Sequence, residues 1–251
     1  MRKIEINPKY EHLRSFIENI PDVFEKEGEE IYHLRNVIKV LTAPDGTTVN
    51  IKRFHQPKGI NRFVYSWNLR IPKGKRAYDY SFLLNRKGIN TPEAIALIEE
   101  RNPMNILGFS YLVTLQSCLP HTLYDIKDAQ EGEYEQLAKA LAHYAAKIHL
   151  ANIMHKDFTP GNILWDYDEE GYQFSMVDIN RMYFGEVTVR KGLDNMKRFW
   201  GPKHFSEILA AEYAKVRNAD CKDAVTYILS KRKRFWQHYL KKHEVPFVVE
   251  L

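Results

Sequence analysis

Apolar positions follow two rhythms along the chain. Between Asn7 and Pro21, Tyr10, Leu13, Phe16, Ile17 and Ile20 recur at helical spacing. Asn7 suits the cap and Pro8 the first helical position, and Pro21 is expected to end the helix. From residue 31 the period shortens. Runs 31–34, 37–41 and 49–54 are β-prone and are separated by Arg35-Asn36 and Pro44-Asp45-Gly46, which predicts a three-stranded antiparallel meander. A helical stretch over about 76–87 stops at Gly88, and residues 94–99 and 110–115 read as two further strands.

The second half returns to the longer period. Leu137, Leu141, Tyr144, Ala145 and Ile148 share one face of a helix over 133–150, about five turns long. Two short strands near 163–165 and 174–177 follow. Phe205, Leu209, Tyr213 and Val216 mark another helix, and 222–242 a last one. The expected class is α+β, with a small β-rich N-lobe over 1–116 and a larger helical C-lobe over 117–251.

Composition narrows the setting. Lys and Arg outnumber Asp and Glu by 37 to 32, a mild excess that suits an anionic partner without selecting one. The two cysteines, Cys118 and Cys221, are too few for a disulfide framework or a cysteine-based zinc site, and point to a reducing compartment. Cys118 sits where the lobes should join and reads as buried lining. No apolar run approaches the roughly 20 residues of a membrane span, and the charged N-terminus has no apolar run behind it. The expectation is a cytoplasmic protein whose membrane contact, if any, is peripheral.

The candidate chemistry lies in the second half. His155-Lys156-Asp157 follows the long helix, Asn162 comes five residues after Asp157, and Asp178 closes a short strand. Phosphoryl transfer needs a carboxylate to orient the attacking hydroxyl and accept its proton, and hard oxygen ligands for Mg²⁺. Asp157 fits the first role, Asn162 and Asp178 the second. Lys52, central in the third run of the meander, can pair with the nucleotide phosphates. His155 reads as a structural hydrogen-bonding residue. Arg181 reads equally as a substrate contact and as a surface ion pair.

His155-Lys156-Asp157-x-x-x-x-Asn162-Ile163-Leu164 resembles the catalytic loop of protein-kinase-like enzymes. Val49-Asn50-Ile51-Lys52 resembles their Val-Ala-Ile-Lys strand, and Val177-Asp178-Ile179-Asn180 stands in the Asp-Phe-Gly place. More narrowly, Asp157-Phe158-Thr159-Pro160-Gly161-Asn162 followed by Asp178-Ile179-Asn180-Arg181-Met182-x-Phe184 resembles the bacterial lipopolysaccharide kinase family, of Kdo and heptose kinases. Gly88-Ile89-x-Thr91-Pro92 adds to that likeness. The chain departs from the kinase pattern in three places. It has no Gly-x-Gly-x-x-Gly loop, it carries Asn180 in place of the glycine, and it lacks a clear glutamate partner for Lys52, Asp79 being the nearest acid.

The resemblance implies a two-lobed protein-kinase-like fold and an ATP- and Mg²⁺-dependent kinase. Its acceptor would be a Kdo or heptose hydroxyl on a lipopolysaccharide precursor such as Kdo-lipid A. A protein Ser/Thr kinase, a small-molecule kinase of aminoglycoside or choline type, and a non-catalytic pseudokinase are the alternatives. Little room for an activation segment between Asp178 and Asn195, and no Ala-Pro-Glu, weigh against the first of these. Two stretches suit an anionic membrane surface. Residues 55–76 hold Lys58, Arg62, Arg70, Lys73, Lys75 and Arg76 among aromatics and no acid; 231–242 hold Lys231, Arg232, Lys233, Arg234, Lys241 and Lys242. No nucleic-acid-binding module accompanies these charges.

Overall fold

A computed structural model describes residues 1–67 and 69–251, so Asn68 of the basic 55–76 stretch lies outside the described residues. The chain divides into two compact units, Met1–Cys118 and Leu119–Leu251.

The first unit is built on a six-stranded antiparallel sheet. Its strands are β1 (Arg2–Ile6), β2 (Glu29–His33), β3 (Val37–Thr42), β4 (Thr48–Phe54), β5 (Ala94–Arg101) and β6 (Leu107–Leu115). Their spatial order is β1-β5-β6-β4-β3-β2, and the expected meander supplies β2, β3 and β4. Alternation decides the faces. Val49 and Ile51 of β4 are fully buried while Asn50 and Lys52 point the other way. A 3-10 helix (Pro8–Leu13), capped by the Asn7 side chain, runs into α1 (Arg14–Val23). Tyr10, Leu13, Ile17, Ile20 and Phe24 of this segment pack with Val37, Leu41, Val49, Ile51 and Val113 in one core cluster.

Pro21 does not end α1; it lies inside it. A proline interior to a helix forfeits one backbone bond, yet the helix continues because Ile20 before it and Phe24 after it are both buried, with the Phe24 amide bonded to the Ile20 carbonyl at 2.9 Å. Burying each contributes about 2 kcal/mol, enough to carry the last turn past the break. Two more helices, α2 (Ile60–Ser66) and α3 (Lys73–Arg86), follow β4. The helix expected over 76–87 thus begins three residues earlier, and α2 occupies part of the basic stretch.

The second unit contains α4 (Glu135–Leu150), α5 (Val189–Met196), α6 (Lys203–Val216) and α7 (Cys221–Tyr239). The apolar face of α4 packs on α6, and α6 on α7. Short strands thread between the helices: β7 (His121–Thr122), β8 (Ile153–His155), β9 (Ile163–Asp168), β10 (Gly171–Met176) and β11 (Met182–Phe184). They form a three-stranded sheet β10-β9-β7 and a two-stranded ladder of β8 with β11. Among the described residues no helix is long and apolar enough to cross a membrane.

Two sequence expectations need correction here. Cys118 is exposed, not buried lining, because the segment linking β6 to β7 runs over the surface. The basic stretch 231–242, which its charges alone would make a solvated helix face, is not one throughout. Arg232 and Trp236 are buried. The Arg232 guanidinium donates to the Gly201 carbonyl at 2.8 Å and to the Glu250 carbonyl, tying the C-terminal tail to α7. Burial pushes its pKa down. Phe247 stacks on Trp200 with centroids 4.6 Å apart and meets Trp236 edge-on, so the tail is packed as well as hydrogen-bonded.

Candidate active site

The two loops that carry the acidic candidates are joined by main chain. α4 ends at Leu150, Asn152 turns the chain with φ of 60°, and β8 follows. In the β8–β11 ladder His155 opposes Met182, and the Lys156 amide donates to the Arg181 carbonyl at 2.8 Å. On the other side the Val177 amide donates to the Asn162 carbonyl at 3.0 Å. The stretches 155–162 and 177–182 are therefore bonded to each other at both ends, and Asp157, Asn162 and Asp178 are brought together.

His155 fixes the turn between them. The Asp157 amide donates to His155 Nδ1 at 3.0 Å, so Nδ1 is the acceptor and Nε2 carries the proton. Nε2 donates to the Val177 carbonyl at 3.1 Å. Burial lowers the pKa of His155, which keeps the ring neutral in that tautomer. Its place is structural, as expected from sequence. Gly161, in the same loop, lies against the Tyr124 ring; a Cβ there would fall 2.6 Å from Tyr124 Cε2, so any larger residue would have to push that ring aside.

Asn162 donates from Nδ2 to the Asp157 carbonyl at 2.9 Å, which orients the amide and leaves Oδ1 for a ligand. Asp178 adopts the left-handed region with φ of 55°, and its Oδ1 accepts from Asn180 Nδ2 at 2.5 Å. Asn180, standing where kinases carry glycine, is buried and aligns this carboxylate from behind. An amide oxygen and an exposed carboxylate are hard donors of the kind Mg²⁺ takes, so the residues present fit that ion.

Two arginines face Asp157. Arg181 Nη1 lies 2.9 Å from Oδ2, and Arg198 Nη1 lies 3.8 Å from Oδ1. Arg198 follows α5 and rests over the Phe235 ring, 5.6 Å from its centroid. Nothing in the local sequence around Arg198 signals this placement. For Arg181 the signal is its adjacency to Asp178-Ile179-Asn180.

A buried chain of hydrogen bonds backs the loop. Arg217 donates to Tyr213 Oη at 2.7 Å, and Tyr213 Oη lies 2.9 Å from His149 Nδ1. His149 Nε2 is 3.3 Å from Asn195 Oδ1, and Asn195 Nδ2 donates to the His155 carbonyl at 2.9 Å. Burial lowers the His149 pKa to about 4. Sequence reading missed Asn195 as a support of the loop, since its partners lie 40 and 46 residues away.

Lys52 and Asp79 belong to the sheet unit. Lys52 sits in β4, in register with Ile38 and Leu112, its Nζ 5.3 Å from the Phe54 ring centroid. Asp79, the nearest acid that the sequence offers Lys52, pairs with Lys75 at 2.7 Å, one turn earlier in α3. An i,i+4 neighbour on the same helix needs no tertiary reach, and Lys75 also holds Glu5 at 2.7 Å. A separate grouping, Glu131, Glu135 and His204, brings ligand atoms within 4.8 Å of one another. Glu135 there accepts from the Gly132 amide at 2.7 Å, so it fastens the turn that leads into α4.

The profile of the lipopolysaccharide kinase (Kdo/WaaP) family matches residues 29–207. The chain belongs to this family. Membership makes it a phosphotransferase, a kinase that uses ATP and acts on a saccharide of the lipopolysaccharide core. No curated protein sequence matches it. The fold of this kinase is similar to that of WaaP in complex with acyl carrier protein. The likeness has a TM-score of 0.61 at 15% identity and covers 93% of this chain and 99% of that one. It is also similar to the amicoumacin kinase hAmiN in complex with AMP-PNP, Ca²⁺ and Ami. There the TM-score is 0.52 at 12% identity, over 89% of this chain and 91% of that one. At such identities the likeness is one of fold, and it places this lipopolysaccharide kinase in the protein-kinase-like class.

Proposed function

We propose that this kinase transfers the γ-phosphoryl group of Mg²⁺-ATP to a Kdo or heptose hydroxyl on a lipopolysaccharide inner-core or lipid A precursor. Asp157 orients the acceptor hydroxyl and takes its proton. Asn162 Oδ1 and the Asp178 carboxylate hold Mg²⁺, and Lys52 pairs with the nucleotide phosphates. When bound, the ion neutralises charge on the phosphates. The observation that carries this reading is the double main-chain stitch, Lys156 to Arg181 and Val177 to Asn162, which holds the hydroxyl-orienting carboxylate and the two oxygen donors in one place. Positioning of this kind is most of what phosphoryl transfer asks of a protein.

Lipid acceptors lie at a bilayer, and residues 58–73 suit one that is anionic. Ile60, Phe63, Trp67, Leu69 and Ile71 are all exposed within this stretch, beside Lys58, Arg62, Arg70 and Lys73. Aromatic and aliphatic side chains enter the interface while basic ones meet anionic headgroups, each contributing about 1 kcal/mol near the surface.

The test is direct. Purified protein with ATP, Mg²⁺ and Kdo-lipid A should yield a product heavier by one phosphate in mass spectrometry, and Asp157→Ala should abolish it. Full activity in that variant rejects the role given to Asp157. Co-sedimentation with phosphatidylglycerol vesicles should weaken in Trp67→Ser/Leu69→Ser; equal sedimentation rejects the membrane face.

A further inference from the structure

We propose that Arg181 and Arg198 form an acceptor-binding pair that holds an anionic group of the sugar, a carboxylate or a phosphate, beside the hydroxyl that Asp157 orients. This rests on the reading of Asp157 given above and adds to it the charge of the acceptor. Two guanidinium groups at 2.9 and 3.8 Å face one carboxylate, so the cluster carries one positive charge in excess. The neighbouring His155 is held neutral by its burial and adds no charge of its own.

For a neutral acceptor this arrangement works against the chemistry. Each cation stabilises the carboxylate as an anion and occupies the oxygen that must meet the hydroxyl. An anionic acceptor resolves the conflict by exchange. Its carboxylate or phosphate takes the planar forks of the arginines, which match such groups with two parallel bonds, and Asp157 is released to the hydroxyl. The two side chains are placed for this. Arg181 is 57% exposed in its side chain, while its backbone carbonyl is pinned by the Lys156 amide. Arg198, 38% exposed, is braced against the Phe235 ring. One arginine can turn outward while the other stays in place. A ulosonic acid brings a carboxylate next to its hydroxyls; a neutral heptose meets the same requirement only when it already bears a phosphate.

The experiment measures kcat/KM for four acceptors in two pairs. These are a Kdo-bearing glycolipid, the same compound with its carboxylate reduced to the alcohol, and a phosphorylated heptose beside its unphosphorylated form. They are run with the wild-type kinase and with Arg181→Ala, Arg198→Ala, the double variant and the matching lysine variants. The wild type should prefer the anionic member of one pair by about tenfold or more, chiefly through KM. The double variant should bring that ratio close to one, and lysine, with charge but no fork, should leave it in between. Preference within the Kdo pair identifies a carboxylate, and within the heptose pair a phosphate. Ratios near one for both pairs in the wild type overturn the proposal. So does an equal loss on charged and neutral acceptors, which would place the arginines on the transferred phosphoryl group. Asp157→Asn separates the two levels: transfer at the wild-type rate in that variant rejects the reading of the site, whatever the ratios show.

Discussion

The buried His149 gives the helical unit a calculable response to acid. Its ring is 1% exposed, and burial lowers its pKa from the ordinary 6.5 to about 4. In the unfolded chain the same ring protonates near pH 6.5, so between these values the unfolded state binds more protons, and stability rises with pH. The histidine contribution is full above pH 6.5, is lost as pH falls, and levels off below about pH 4, where both states are charged. The gap, at ~1.4 kcal/mol per pH unit, amounts to on the order of 3 kcal/mol in all, and about 2 kcal/mol of it falls between pH 7 and 5. His155 adds to the slope in the same direction, because burial lowers its pKa too. The assay is urea unfolding followed by circular dichroism at pH 7, 6 and 5, in the wild type and in His149→Gln. The wild type should lose about 2 kcal/mol more over this range than the variant. Long-range proton–nitrogen spectra give the ring's titration directly. A His149 that titrates near pH 6.5 in the folded protein, or equal slopes in the two proteins, would refute the reasoning.

Other perturbations probe different parts of the molecule. In Gly192→Ala the new Cβ would fall 2.0 Å from Tyr213 Oη and 2.7 Å from His149 Nδ1. The hydrogen-bond chain to Asn195 should break, with a loss of about 3 kcal/mol in unfolding experiments. Arg232→Ala removes both donors that hold the Gly201 and Glu250 carbonyls and leaves a cavity under the tail. It should cost about 2–4 kcal/mol and expose residues 243–251 to proteases, as limited digestion would show. Asp178→Asn should lower transfer at least about a hundredfold and raise the Mg²⁺ concentration for half-maximal rate. A rate that is insensitive to this change would remove Asp178 from the site.

Much of the fold was legible because its signals are local. The meander declares itself through short β-prone runs broken by turn residues, and α4 through its apolar face. β1 was missed for the opposite reason. Arg2–Ile6 is a short alternating strand whose partner, β5, lies over ninety residues later, so its pairing leaves almost no local mark. Pro21 misled because a breaker signal says nothing about the burial on either side of it. The pair of Asp79 with Lys75, four residues apart on one helix, is itself a local signal that the sequence reading passed over. In the site, loop spacing alone brought out Asp157, Asn162 and Asp178, the residues that the proposed transfer would use. Asn195 and Arg198 reach the loop from later in the chain, with Arg217 behind Asn195 in the hydrogen-bond chain, and only tertiary packing assembles them.

The ladder of β8 with β11 has a consequence for how such enzymes diversify. The backbone spacing between Asp157, Asn162 and Asp178 is set by peptide hydrogen bonds, and peptide groups are common to every sequence. Exchanging the side chains of Lys156, Thr159 or Arg181 therefore leaves that spacing untouched while changing what the surface around it recognises. Retargeting to a new sugar is then a matter of repainting the rim of a fixed frame, and a library confined to these three positions is where a change of acceptor should first be found.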